Sequence, residues 1–169
     1  MLFQTPRLLV RRLVKSDAEA MSAIYGDIET MKYVGDSRPL PVDICLHWIE
    51  VTDGNFERRG YGMMAACEKT TGDLVACVGI VHPDQQQQPE VKYAVRRDKW
   101  GQGLATELVM AIIEYAKAEL GKDVLIATVH PDHLKSQRVL TKAGFKHETD
   151  RINDDASTTQ VWKWQTNEQ

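Results

Sequence analysis

The stretch Val95-Arg-Arg-Asp-Lys-Trp-Gly-Gln-Gly-Leu-Ala-Thr-Glu107 decides how this chain reads. A strand-like run enters it, a periodic helix leaves it, and two glycines sit at the junction. Glycine lets backbone approach a ligand with no Cβ in the way, and the first-turn N–H groups of a helix lack intrahelical partners. The junction therefore predicts an anion site of the kind that holds a phosphate. Arg96, Arg97 and Lys99 against Asp98 alone add local positive charge, as do Lys135, Arg138 and Lys142 further along. The same residues also fit a plain glycine-rich turn with solvated basic neighbours. A P-loop would require Lys and Ser or Thr after the last glycine, where this chain has Leu104-Ala105. A dinucleotide fingerprint is nearer, since Gly101-x-Gly103-x-x-Thr106 departs from it at the last position, but such fingerprints open sheets of repeated βαβ units.

Working outward, Leu104, Leu108, Ile112, Ala116 and Leu120 recur every fourth residue and Gly121 follows as a stop, which predicts a helix from the junction to Leu120. Glu90 to Arg96 alternates as a strand, and Asp123 to His130 (DVLIATVH) is a near-continuous apolar strand. Together they predict a strand–helix–strand unit with parallel strands and a right-handed crossover. A last helix over Leu134–Ala143 stops at Gly144, and Phe145–Thr149 and Thr158–Trp164 read as closing strands. Upstream, Arg7–Val14 reads as a strand running into a cap at Ser16 or Asp17, with helices over Ala18–Tyr25, Ile28–Val34 and Val42–Arg59. In the last of these, Ile44, Trp48, Ile49 and Phe56 are the expected buried positions. Tyr61–Glu68 and Leu74–His82 form a hairpin about Thr70-Thr71-Gly72-Asp73, and Gln85–Gln88 lie in a solvated connection.

The 169 residues suit a single domain, and 43% hydrophobic with 27% charged residues excludes disordered and fibrous classes. A net charge of −3 names no nucleic-acid partner. The start Met-Leu-Phe-Gln-Thr-Pro-Arg has no secretory pattern and no apolar run approaches a membrane span, which points to a cytoplasmic protein. Cys45, Cys67 and Cys77 are odd in number and lack C-x-x-C, and the five histidines show no ligand spacing, so no metal site is expected. Cys67 and Cys77 flank the hairpin turn as candidate cross-strand neighbours. Tyr93 and the tryptophans read as core residues.

Thr5-Pro-Arg-Leu8, Gly72 with Gly79, Glu90-Val-Lys-Tyr93, Trp100-Gly-Gln-Gly-Leu-Ala-Thr-Glu107, and Pro131-Asp-His-Leu-Lys-Ser136 through Lys142-Ala-Gly-Phe145 occur here in an order that resembles the GNAT superfamily of acetyl-CoA-dependent N-acetyltransferases, in particular its ribosomal-protein N-terminal acetyltransferase branch. The resemblance implies an α/β GNAT fold over residues 1–169: a single mixed, mostly antiparallel sheet with a splayed parallel strand pair and helices on both faces. It implies that the pantetheine arm of acetyl-CoA lies in the splay, bonded by backbone near Val95. The amides of Gly101, Gln102, Gly103, Leu104, Ala105 and Thr106 take the pyrophosphate. Trp100 stands where many members have Gln or Arg but where the ribosomal-type branch often has Trp. His133 stands where the family often has Asn, beside the cofactor, and Leu140 where some members place a thiolate-protonating Tyr.

By resemblance Ser136 contacts the cofactor sulfur or acetyl region, and Glu90 is the candidate base, acting directly or through a water. A neutral amine is required because α-amino and Lys groups have pKa values of about 8 and about 10. Ser136 also fits a helix-start hydroxyl satisfying backbone, and Glu90 an exposed charge opening a strand. The acceptor is a small-molecule or peptide amine: a peptide N-terminus, a polyamine or another small amine. Acidic residues from Asp17 to Glu57 suggest it is cationic, although a solvated helical surface reads the same way. A non-catalytic acyl-CoA-binding or regulatory module and a dinucleotide-binding domain remain the alternatives.

Overall fold

In a computed structural model, residues 1–166 are described. The strands are β1 (Phe3–Gln4), β2 (Leu8–Arg12), β3 (Met63–Glu68), β4 (Leu74–Val81), β5 (Glu90–Val95), β6 (Val124–Val129), β7 (Lys146–Ile152) and β8 (Thr158–Gln165). The helices are α1 (Ala18–Tyr25), α2 (Ile28–Met31), α3 (Val42–Arg59), α4 (Leu104–Leu120) and α5 (Leu134–Lys142). One eight-stranded sheet runs in the order β1-β2-β3-β4-β5-β6-β8-β7, antiparallel except between β5 and β6. This is the expected α/β GNAT architecture.

Strand alternation sends successive side chains to opposite faces, and each face has its own core. Leu8, Val10, Met64, Ala66, Val78 and Val91 pack with Leu108, Ile112 and Leu140 on the α4–α5 face. Ala65, Cys67, Leu74, Cys77 and Ala94 pack with Met21, Ile24, Cys45 and Ile49 on the α1–α3 face. β4 serves both and is almost wholly buried, which is why LVACVGIV shows no polar alternation. No helix of the described residues is long and apolar enough to cross a membrane.

The sequence expectations fail locally for visible reasons. In α3 the buried line is Cys45, Ile49 and Thr52, at i, i+4 and i+7, while Ile44 and Trp48 are 36% and 40% exposed. The buried threonine wins its place because its hydroxyl binds the free main chain at the start of β3: Met63 N–H donates to Thr52 Oγ1 at 2.7 Å. α2 is one turn, not a helix to Val34, and its N-cap Asp27 accepts from Thr30 N–H at 2.9 Å. Before α1, Lys15–Asp17 is a 3₁₀ turn in which Asp17 binds Arg11. Cys67 and Cys77 are not opposite each other. A register shift at Ala66/Cys67 pairs Cys67 with Leu74, and Cys77 pairs with Ala65. All three cysteines are free and buried, and burial pushes the Cys77 thiol up to about 12.

Candidate active site

β5 is bordered unequally. Toward β4 it is paired over its whole length, from Val81↔Glu90 to Ala76↔Val95, and Arg96 N–H continues the ladder to Val75 O at 2.8 Å. Toward β6 there is one register pair, Glu90↔Ile126, with Ile126 N–H donating to Pro89 O at 2.9 Å. Because main-chain groups alternate along a strand, those of Tyr93 and Val95 point away from β4, into the splay. The Val95 carbonyl is held there by the Trp100 indole N–H at 2.7 Å. Trp100 thus has a definite task, fixing the end of the open edge, and the Lys135 ammonium lies 5.1 Å from its ring centroid.

The open edge runs into the glycine loop. Gly101 and Gly103 have φ of +75° and +79°, and Gly103 is the N-cap of α4 with no side-chain cap. A Cβ on Gly101 would meet nothing within 4 Å, so its glycine is required by backbone conformation and leaves room beside the loop. Gln102, Leu104, Ala105 and Thr106 complete the rim, and the first-turn amides of α4 are left uncapped by side chains. Arg7, 100 residues away in sequence, organises this rim from behind. It donates from Nε to Glu107 Oε2 at 2.8 Å and from Nη1 to the Gln102 carbonyl at 2.8 Å, while the Thr5 hydroxyl and Arg7 N–H both bind Glu107 Oε1. Burial works to raise the Glu107 carboxyl, but the bonds from Thr5 and Arg7 outweigh it and hold it below its ordinary value.

The local positive charge is differently placed from the expectation. Arg96 is bound to Asp98, Lys99 to Glu68, and Arg97 to Asp27 at 3.4 Å, so each loop cation has its own carboxylate. Among the described residues Lys135, Arg138 and Lys142 of α5 have no ion pair and carry the uncompensated charge. The acidic segment is likewise largely paired: Asp17 with Arg11, Asp27 with Arg97, Asp36 with Arg38, Glu50 with Lys15, and Asp53 with Arg12.

Glu90 is 1% exposed, contrary to the reading of a surface charge at a strand start. Its Oε1 accepts from the Thr128 hydroxyl at 2.5 Å and lies 2.8 Å from Lys92 Nζ, and its Oε2 accepts from Gln86 Nε2 at 3.0 Å. The glutamine stretch is therefore not wholly solvated, since Gln86 turns inward. The Gln86 carbonyl also contacts His82 Nδ1 at 2.8 Å, and His82 Nε2 contacts Tyr61 Oη at 2.7 Å, so a chain of polar contacts leads from Tyr61 to Glu90.

Ser136 sits in the first turn of α5, where its Oγ meets Tyr93 Oη at 2.5 Å. Tyr93 lies three residues beyond Glu90 on β5, so the two side chains project to opposite faces of the sheet on either side of the splay. His133, the residue before α5, is stacked on Tyr33 with ring centroids 4.7 Å apart, and Tyr33 also contacts His130 at 5.0 Å. Burial, with His130 and Lys135 nearby, lowers the His133 pKa. The structure thus ties Ser136 to β5 through Tyr93 and the Val95 carbonyl to the glycine loop through Trp100, whose ring meets Lys135 of α5, while His133 stacks on Tyr33 and Glu90 projects to the other face of the sheet. Sequence reasoning did not single out Arg7, Gln86, Thr128 or the pairing of Tyr93; the Thr5-Pro-Arg-Leu8 motif was a signal for Arg7 alone. Among the described residues no three His, Cys, Asp or Glu side chains converge as metal ligands.

A profile described as the acetyltransferase (GNAT) domain matches residues 7–146. An uncharacterized N-acetyltransferase, YoaA of Bacillus subtilis (strain 168), is 24% identical over 148 residues, covering 87% of this chain and 84% of that protein. Among solved structures, a GNAT-family acetyltransferase from Bacillus anthracis superposes with a TM-score of 0.84 at 19% identity, over 98% of both chains. YncA, a putative acetyltransferase from Salmonella typhimurium solved with its cofactor acetyl-CoA, gives 0.73 at 19% identity over 96% of this chain and 95% of its own. Two structural likenesses of fold and a profile that spans most of the chain lead to one statement: the chain belongs to the acetyltransferase (GNAT) domain family.

Proposed function

We propose that the protein transfers an acetyl group from acetyl-CoA to a primary amine, a peptide N-terminus, polyamine or other small amine, by direct attack in a ternary complex. The observation that carries this reading is the unpaired edge of β5 ending in the glycine loop. An extended amide-bearing arm can pair with the main chain of Tyr93 and Val95 as a strand would, while a diphosphate meets the amides from Gly101 to Thr106. Lys135, Arg138 and Lys142 supply the cations for further phosphate charge. Acetyl-CoA contributes an acetyl group already activated as a thioester, so the protein's share of the work is positioning, proton removal and support of the departing sulfur.

Glu90 and Ser136 take those last two parts, as their resemblance to the ribosomal-type branch implies, from opposite sides of the splay. Glu90 is too enclosed to meet an amine itself, so the proton from the acceptor nitrogen reaches it through the Thr128 hydroxyl, which already donates to Oε1. Lys92 Nζ pairs with the same carboxylate oxygen at 2.8 Å. Ser136, at the positive end of α5, faces the sulfur.

Thermal denaturation with acetyl-CoA, CoA and NAD in parallel tests the cofactor half of this reading. A ligand at 100 times its Kd stabilises by about 2.7 kcal/mol, and the expected pattern is stabilisation by both CoA compounds and none by NAD. Turnover over a panel of amines tests the rest: Glu90→Gln should lower kcat by about 100-fold or more and leave acetyl-CoA stabilisation intact. Binding without turnover of any amine, indifferent to Glu90→Gln, would instead identify a non-catalytic acyl-CoA-binding module.

A further inference from the structure

Leu140 occupies the α5 position at which the family resemblance would place a tyrosine acid, and it is buried in the core. A phenol arrives from the neighbouring strand instead. Tyr93 and Ser136 are 43 residues apart, yet their hydroxyl oxygens lie 2.5 Å from each other across the α4–α5 face of the splay. Among the described residues this is the only side-chain hydrogen bond made by the Ser136 hydroxyl. A serine hydroxyl early in a helix ordinarily rotates among its rotamers or turns back to bind nearby backbone. Either hydroxyl can donate in this bond; the phenol is the more acidic of the two, and with it as donor the bond occupies a lone pair of the serine oxygen and leaves the serine proton to be given elsewhere.

We infer that Tyr93 is a positioning residue for Ser136: its phenol fixes the serine oxygen so that the serine proton is presented to the sulfur that leaves the acetyl group. This rests on Ser136 being the group at the sulfur. Burial raises Tyr93 to about 12, only partly countered by its hydrogen bond with Ser136, so it stays protonated across the neutral range. In the transfer the acceptor nitrogen forms its bond to the acetyl carbon, the C–S bond breaks and its electron pair goes to sulfur. One proton leaves the nitrogen toward Glu90. Ser136 gives one to the sulfur and regains it from solvent, while Tyr93 keeps its own throughout. A hydrogen bond that both holds and polarises Ser136 strengthens its donation to a thiolate, the charge-assisted case in which hydrogen bonds are strongest.

The test uses binding of CoA, with acetyl-CoA as the control whose sulfur cannot ionise. Thiols ionise at about pH 8.5, so if Ser136 donates to a thiolate, calorimetric affinity for CoA relative to acetyl-CoA rises between pH 6.5 and pH 9.5. Tyr93→Phe keeps the ring and its packing. It should reduce that rise by about tenfold, Ser136→Ala should do the same, and the double variant should do no more, with acetyl-CoA affinity unchanged in all three. Three results would overturn the assignment: Tyr93→Phe retaining the full pH dependence, the two losses multiplying, or Tyr93→Phe weakening acetyl-CoA as much as CoA, which would mark a packing role. A wild-type protein that binds CoA with no pH dependence removes Ser136 from the sulfur. One that binds neither compound overturns the proposed function itself.

Discussion

The two edges of β5 have the same residues and opposite duties. Toward β4 every main-chain group is spent on the ladder, and the side chains beyond it are close-packed; toward β6 one register pair holds the throat and the rest of the edge is free. The contrast is between a surface selected for having no room and one selected for having some. Glycines mark both kinds. Gly79 in β4 is there because a Cβ would strike Gly62 O at 2.4 Å and Met63 Cα at 2.6 Å, whereas Gly101 has open space around it.

That contrast can be broken most severely at Gly79. Gly79→Ala forces backbone to move on the closed side and should cost about 3 kcal/mol, near 10 °C in Tm, with whatever folded protein remains still stabilised by acetyl-CoA. Gly101→Ala should do the reverse: a loss of about 1 kcal/mol from a positive φ, with acetyl-CoA stabilisation largely abolished. Denaturation of both variants with and without acetyl-CoA decides the matter, and equal losses of ligand response would erase the distinction.

A smaller effect is expected behind the loop. Arg7→Ala removes the bond to the Gln102 carbonyl and the partner of Glu107, and should weaken acetyl-CoA about tenfold while Tm without ligand falls only a few degrees. Arg7→Lys, which cannot span Glu107 and Gln102 together, should restore stability better than affinity.

The smallest effect concerns pH at the mouth of the splay. His133 has a lowered pKa in the folded protein, so the unfolded chain takes up its proton first as pH falls; the stability this group contributes is present above about pH 6.5 and lost below it, down through the folded value. Wild-type Tm should therefore decline between pH 7.5 and pH 5 more steeply than that of His133→Asn. Matching slopes would show that the Tyr33 stack tolerates the imidazolium.

What the sequence disclosed follows from where each signal is stored. The glycine loop and α4 were legible because positive-φ glycines, a four-residue apolar spacing and a stop at Gly121 are local properties. The splay itself was legible only through resemblance, since nothing local in Glu90–Val95 says that one edge goes unpaired. Gln86, Arg7 and Tyr93 were missed for a common reason: each acts through a partner fixed by the tertiary fold, Glu90, Glu107 with Gln102, and Ser136. Composition even argued against Gln86, one of four identical neighbours. α3 misled differently, because hydrophobicity selected Ile44 and Trp48, whereas the buried line includes Thr52, whose hydroxyl finishes the edge of β3.

The half-paired strand also has a kinetic signature. In most sheets a central strand is the last place where amide hydrogens exchange with solvent, because opening it means opening the core. In β5 the amides of Ala94 and Arg96 are directed to β4, while those of Tyr93 and Val95, one residue away on the same strand, face the splay. Slow and fast exchange therefore alternate residue by residue through the middle of the molecule, and an arm laid into the splay erases the alternation.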